Sequence, residues 1–223
     1  MNHIFLDLEM HPIDKKYRHE RTICFREIIE IGAVMLNDCN QEIADYKAYV
    51  KPDFSEYVST YIHDLTGIST GNLFFADRLD TALPKFLAWC ESYGEDYTIH
   101  AWSDSDLKQI QNEMKLKNIA LSQDIMKAFS TWNDFQYDFE CLIKVENHIS
   151  LENALASIGI VFSGKKHDAL WDSRNTAKLY KAAQSPEDIK NILAYIKQVL
   201  EAESNPSTLG DLFNFSQLEL ASA

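Results

Sequence analysis

Cysteine is scarce in this chain of 223 residues: four stand at positions 24, 39, 90 and 141, far apart and without a Cys-x-x-Cys pair. That spacing argues against a disulfide framework and a zinc site, and the apolar neighbourhoods predict buried free thiols. Long apolar runs are missing too. No stretch reaches the ~18 residues of a membrane span, and Met1-Asn2-His3 runs into a strand pattern without a basic, then apolar, leader. The expectation is a soluble, cytoplasmic protein with no membrane partner. Internal repeats and low-complexity tracts are also lacking. Basic residues are outnumbered by acidic ones, 21 against 34, for a formal charge of −13. Such a balance opposes unassisted binding to a polyanion, because nucleic-acid affinity comes largely from neutralising phosphates.

What is present is enough to build a buried core, with 46% hydrophobic residues in a chain that suits one sizeable domain and an appendage. Strand patterns come first, over His3 to Leu8, Ile28 to Leu36 and Ile43 to Val50, and Asn37-Asp38-Cys39-Asn40 supplies a turn for an antiparallel hairpin. Helical spacing then takes over. Ala82, Leu83, Phe86, Leu87 and Cys90 form one face, Tyr97 to Trp102 reads as a further strand, and a helix from about Asp104 buries Leu107, Ile110 and Met114. Ser150 caps a helix that ends at Gly159, and another begins near Asp168. Strands first and alternation later predict an α/β fold, a mixed sheet flanked by helices. Ser185-Pro186-Glu187-Asp188 starts a last helix to about Glu203. The apolar tail beyond it is expected to pack on the core or on a neighbouring subunit or partner.

The chemistry concentrates in two short segments. Phe5-Leu6-Asp7-Leu8-Glu9 carries two carboxylates which, in a strand, point to one side while Ile4, Leu6 and Leu8 point to the other. Like charges held that close repel unless a cation sits between them, and a divalent metal ion is the economical candidate. Hydrolysis of a phosphodiester with two metal ions needs several converging carboxylates and a base for the attacking water. Asp7, Glu9, Asp106 and Asp172 form such a set, although Asp104 and the acids near Asp134 compete with Asp106 on spacing alone. Oxygen donors of this kind suit magnesium. His167 precedes Asp172 by five residues; placed in the loop before the helix, it can swing toward the ions and accept a proton near neutral pH. Between them, Lys15, Lys16, Arg18, Arg21 and Arg26 form a basic cluster that reads either as a solvated loop or as a phosphate contact.

In these residues the chain resembles the DEDDh 3′–5′ exonucleases of the DnaQ-like, ribonuclease H-like fold, over about residues 2 to 183. Phe5 to Glu9 is similar to the first exonuclease motif, and Glu27 to Val34 to the strand that follows it. Leu65-Thr66-Gly67-Ile68 matches the family's Leu-Thr-Gly-Ile loop near the bound 3′ end. Trp102 to Leu107 resembles the second motif, which selects Asp106 over Asp104, and His167-x-Ala169-x-x-Asp172 resembles the third in its histidine subtype. The flavour is closest to the Eri1-like and KapD-like branch.

The resemblance implies an exonuclease domain over 1–183, a C-terminal helical extension over 184–223, and release of nucleoside 5′-monophosphates from the 3′ end of single-stranded RNA or DNA. It also implies two Mg2+, with Mn2+ able to substitute, held by Asp7, Glu9, Asp106 and Asp172, with His167 as the base. Met10, where relatives often carry threonine or alanine, and Leu65 and Thr66 would flank the terminal nucleotide. A non-catalytic regulatory or protein-binding module and a trimmer of very short oligonucleotides are the alternatives, and the C-terminal tail is the expected contact for a homodimer or a protein partner.

Overall fold

The computed structural model describes residues 1–143 and 148–185, together with 189 and 194. β1 (Asn2–Pro12), β2 (Arg26–Leu36) and β3 (Glu42–Tyr49) form an antiparallel meander. β4 (Tyr97–Ala101) and β5 (Trp132–Asp134) add parallel strands on the other side of β1, giving the order β3-β2-β1-β4-β5. The helices, in chain order, are α1 (Glu20–Ile23), α2 (Thr60–Thr66), α3 (Thr70–Phe74), α4 (Leu79–Glu91), α5 (Ser105–Lys117), α6 (Gln123–Ser130), α7 (Phe135–Ile143), α8 (Leu151–Ser157) and α9 (Ala169–Ala183). None of the described helices is long and apolar enough to cross a membrane.

β1 is covered on both faces, and its alternation sorts the covering. Ile4, Leu6 and Leu8 join the main core with Leu83 and Phe86 of α4, Ile110 and Met114 of α5, and Ile125 of α6. Phe5 points the other way, against Val34, Leu36 and Ala177 of α9. Helix starts are fixed by side chains that accept free backbone amides of the first turn: Ser59 for α2, Ser122 for α6, Ser150 for α8 and Asp168 for α9. The expected mixed sheet, the β2–β3 hairpin and the helices after Asp104, Ser150 and Asp168 are all present.

Three expectations need amendment. β1 runs four residues beyond Leu8, because pairing with β2 continues past a bulge at Glu9/Met10. Leu107 is only half-buried, whereas Asp106 and Glu113 of the same helix are buried. Cys24 and Cys90 are buried as expected, but Cys39 and Cys141 are exposed, one in the β2–β3 turn and the other on the outward side of α7. The helix expected from Ser185 and the apolar tail lie outside the described residues, apart from Ser185, Ile189 and Ala194.

Candidate active site

Parallel β4 pairs with β1 only as far as Leu6↔Ala101. Beyond that point β1 continues alone on that side, so Asp7 and Glu9 emerge past the carboxyl end of β4, where open sheets leave a crevice for ligands. Their side chains share the face covered by α9. The approach of that helix is set by Gly32, which lies opposite Asp7 in the β1–β2 register. A β-carbon at position 32 would sit 2.2 Å from both the Ala169 carbonyl carbon and the Leu170 nitrogen. Ser173 closes the contact, its hydroxyl 2.7 Å from the Gly32 carbonyl oxygen. Backbone contact at this point brings Asp172, one turn into α9, over the two β1 carboxylates.

The result is a trio: carboxylate oxygens of Asp7, Glu9 and Asp172 all lie within 4.8 Å of one another. Asp106, buried at the start of α5, stands outside that trio, but of the neighbouring charges it acts most strongly on Asp7. Burial first, and then the charges of Asp106, Asp172 and Glu9, hold the Asp7 carboxyl well above its ordinary range. Glu9 is pushed up to about 8 by burial and then by Asp172 and Glu30. Asp106 and Asp172 are each raised to about 7 by burial, against the pull of backbone amides at Leu8 and Asp106 in one case and at His167 and Asp168 in the other. Four mutually repelling oxygen donors fit hard divalent cations, which would relieve the strain that protons otherwise relieve.

His167 stands in the loop before α9 with φ +59°. It is exposed, yet partial desolvation and then the adjacent Lys166 hold its imidazole below its ordinary value. The loop that carries it folds onto the Leu-Thr-Gly-Ile turn: Lys165 Nζ occupies the space that a side chain at Gly67 would fill.

Not every predicted contact points into the centre. The Met10 side chain is half-buried and packs on the main core, on the opposite side of β1 from Asp7 and Glu9. Thr66 is buried, and its hydroxyl donates to the Ile62 carbonyl at 2.8 Å and accepts the Ile68 amide at 3.0 Å. Its hydroxyl is thereby committed to the turn, whereas Leu65, like Met10, is half-buried. Lys166 pairs with Glu152 at 2.6 Å.

Two neighbours of the carboxylates were missed by sequence reasoning. Glu30, buried and in register with Glu9, accepts the Ala169 amide at 3.0 Å. Lys47 of β3 bridges Glu30 (3.3 Å) and Asp168 (2.6 Å). An acid inside the apolar run Ile28 to Val34 was the available signal for Glu30; nothing in the sequence marked Lys47.

Residues 4–180 match the family model described as RNase_T, Exonuclease. A Mus musculus protein named ERI1 exoribonuclease 2 is 28% identical over 222 residues, covering 87% of this chain and 30% of that protein. The Mus musculus 3′-5′ exoribonuclease 1 is 29% identical over 163 residues, covering 69% of this chain and 45% of that one. The chain spans 26–32% of the length of the ERI1 exoribonuclease 2 proteins it matches. Among solved structures, the nuclease domain of 3′hExo, a DEDDh family member, bound to rAMP, has the same fold, with a TM-score of 0.69 at 22% identity over 80% of this chain and 89% of that one.

Proposed function

The chain belongs to the RNase_T exonuclease family, in its DEDDh, Eri1-like branch, and on that footing we propose that it is a 3′–5′ exoribonuclease acting on single-stranded 3′ ends. The observation that carries this reading is the convergence of Asp7, Glu9 and Asp172 within 4.8 Å, with Asp106 beside Asp7. RNA is favoured over DNA because the curated relatives are named as exoribonucleases.

Asp7, Glu9 and Asp172 would hold one divalent cation, and Asp7 with Asp106 a second, Mg2+ or Mn2+. Bound there, the cations supply charge neutralisation at the scissile phosphate and a more acidic water. The protein's own groups do the rest. His167, whose imidazole is held below its ordinary value by partial desolvation and the neighbouring Lys166, takes one proton from the attacking water while the water oxygen bonds to phosphorus. The bond from phosphorus to the 3′ oxygen breaks, that oxygen regains a proton, and a nucleoside 5′-monophosphate leaves. Lys47, by pairing Glu30 and Asp168, keeps the start of α9 seated so that Asp172 and His167 hold station.

The test is degradation of 5′-labelled single-stranded RNA and DNA with Mg2+, Mn2+ or EDTA, wild type beside Asp7→Asn. Stepwise, metal-dependent shortening of RNA that the variant lacks is the expected result. No shortening of either polymer would overturn the proposal in favour of a non-catalytic binding module.

A further inference from the structure

Past Glu9, β1 carries His11 on the same side as the carboxylates and about 7 Å further along the strand. His11 is buried, and its Nε2 accepts the Ser59 amide at 3.0 Å, which places the proton of the neutral ring on Nδ1. The ring forms one end of an open cleft of about 390 Å3, solvent at its mouth included, which Lys51, Tyr57, Val58, Leu73 and Phe74 also line.

The cleft is built rather than incidental. Its wall, residues 51–59, is pinned by a buried charge cluster that the proposed chemistry does not use. Lys117 Nζ lies 3.0 Å from Glu27, 2.9 Å from Asp53 and 2.8 Å from Glu113. Glu27 in turn accepts the amides of Asp53 (2.6 Å) and Phe54 (2.8 Å). The Val58 amide donates to Thr70 Oγ1 at 2.9 Å, tying the wall to α3.

Two exposed aromatic side chains line the cleft: Tyr57 is 73% exposed and Phe74 61%. Lys51 Nζ sits 5.1 Å above the Phe74 ring and donates to the Phe74 carbonyl oxygen at 3.1 Å. Exposed rings interleaved with a cation are the elements of a platform on which bases of a single strand stack. The placement agrees. His11 belongs to the strand that carries the carboxylates, and Glu56 of the lining pairs with Lys16 of the basic segment while its amide donates to Asp14 at 3.1 Å.

We propose that the cleft between His11, Tyr57 and Phe74 is a subsite for one nucleobase of the substrate strand, upstream of the terminal nucleotide. It rests on the exonuclease reading above and adds to it a second point of grip. Because the rings are exposed, Tyr57→Ala and Phe74→Ala are expected to melt like wild type.

The experiment uses the full chain and 12-nucleotide single-stranded RNAs carrying one abasic residue, moved from the second to the fifth position from the 3′ end. KM for the first cleavage is the readout. In wild type, one position is expected to raise KM about tenfold, a typical share for one stacked base. In Phe74→Ala the intact RNA shows a similar rise, the abasic residue at that position adds nothing further, and Phe74→Trp restores the wild-type pattern. An equal abasic penalty in wild type and Phe74→Ala, or no sensitive position at all, overturns the subsite. If wild type cleaves nothing, the catalytic reading has failed instead, and fluorescence-anisotropy binding of the same RNAs decides the subsite by the same pattern in Kd.

Discussion

Gly32 and Ala169 meet backbone against backbone: a single added β-carbon at position 32 would lie 2.2 Å from the Ala169 carbonyl carbon. The carboxylate cluster is assembled across this contact, since β1 and β2 carry Asp7, Glu9 and Glu30 while α9 carries Asp172. Gly32→Ala should therefore push α9 off the sheet, costing about 1–3 kcal/mol of stability as overpacking does. It should also weaken metal binding at temperatures where the variant is still folded. Urea denaturation together with calorimetric Mn2+ titration checks both effects, and normal metal affinity in the folded variant would show that the helix can reseat.

The carboxylates and the histidine should fail in different ways. Asp7→Asn is expected to lose metal binding and activity together. His167→Gln should keep metal and RNA binding but lose ~10²–10⁴ in kcat, the usual worth of a general base. Titration calorimetry and single-turnover kinetics separate the two, and near-normal turnover in His167→Gln would remove it from the base role.

Metal and pH should act against each other. Without metal, Glu9 titrates at about 8 in the folded chain against an ordinary 4.5, so between these values the folded state holds more protons than the unfolded one. The corresponding stability is fully present below the ordinary value and drains away as pH rises toward 8. The metal-free protein should thus lose several degrees of Tm from pH 5 to pH 8, and saturating Mg2+ should flatten the slope while releasing protons on binding. Scanning calorimetry across that range tests the claim; parallel slopes with and without metal would contradict it.

Lys47→Met should leave Glu30 and Asp168 facing each other without a cation. The side chain is 31% exposed, so solvent screening limits the loss to about 1–2 kcal/mol. Glu30→Gln placed in the Lys47→Met background should recover part of it. Chemical denaturation of the two variants and the double variant gives the coupling, and an additive result would mean that the bridge holds nothing.

Ionic strength offers a further test. With a formal charge of −13, the protein must meet phosphates through a few local cations, and Lys15 and Arg18 are exposed. Activity on a 20-nucleotide RNA should fall steeply with salt, and Lys15→Gln with Arg18→Gln should make that slope shallower. Dinucleotide hydrolysis should respond much less.

The parts that short-range chemistry fixes were legible before any coordinates. Alternation in Phe5 to Glu9 placed both acids on one side, and the Asp168 cap marked where α9 begins. The short helices α2 and α3 were not legible, because five to seven residues give too little periodicity. Within the site, Asp7, Glu9, Asp106 and Asp172 could be named from motifs, but Lys47 could not. Its role depends on β3 lying beside β2 and on α9 crossing both, a tertiary fact with no local signature. Met10 shows the reverse case, since it was expected to face the substrate with side chain and backbone alike. Strand alternation alone turns that side chain to the core.

The carboxylates enter from β1, from the start of α5 and from α9, so the centre spans residues 7 to 172 of the chain. During synthesis Asp7 and Glu9 are made long before α9, and the third member of the trio cannot join them until α9 has been made and has settled on Gly32. Assembly of the candidate centre is in this sense a late product of synthesis. Fragments that stop short of α9 carry only part of the carboxylate set.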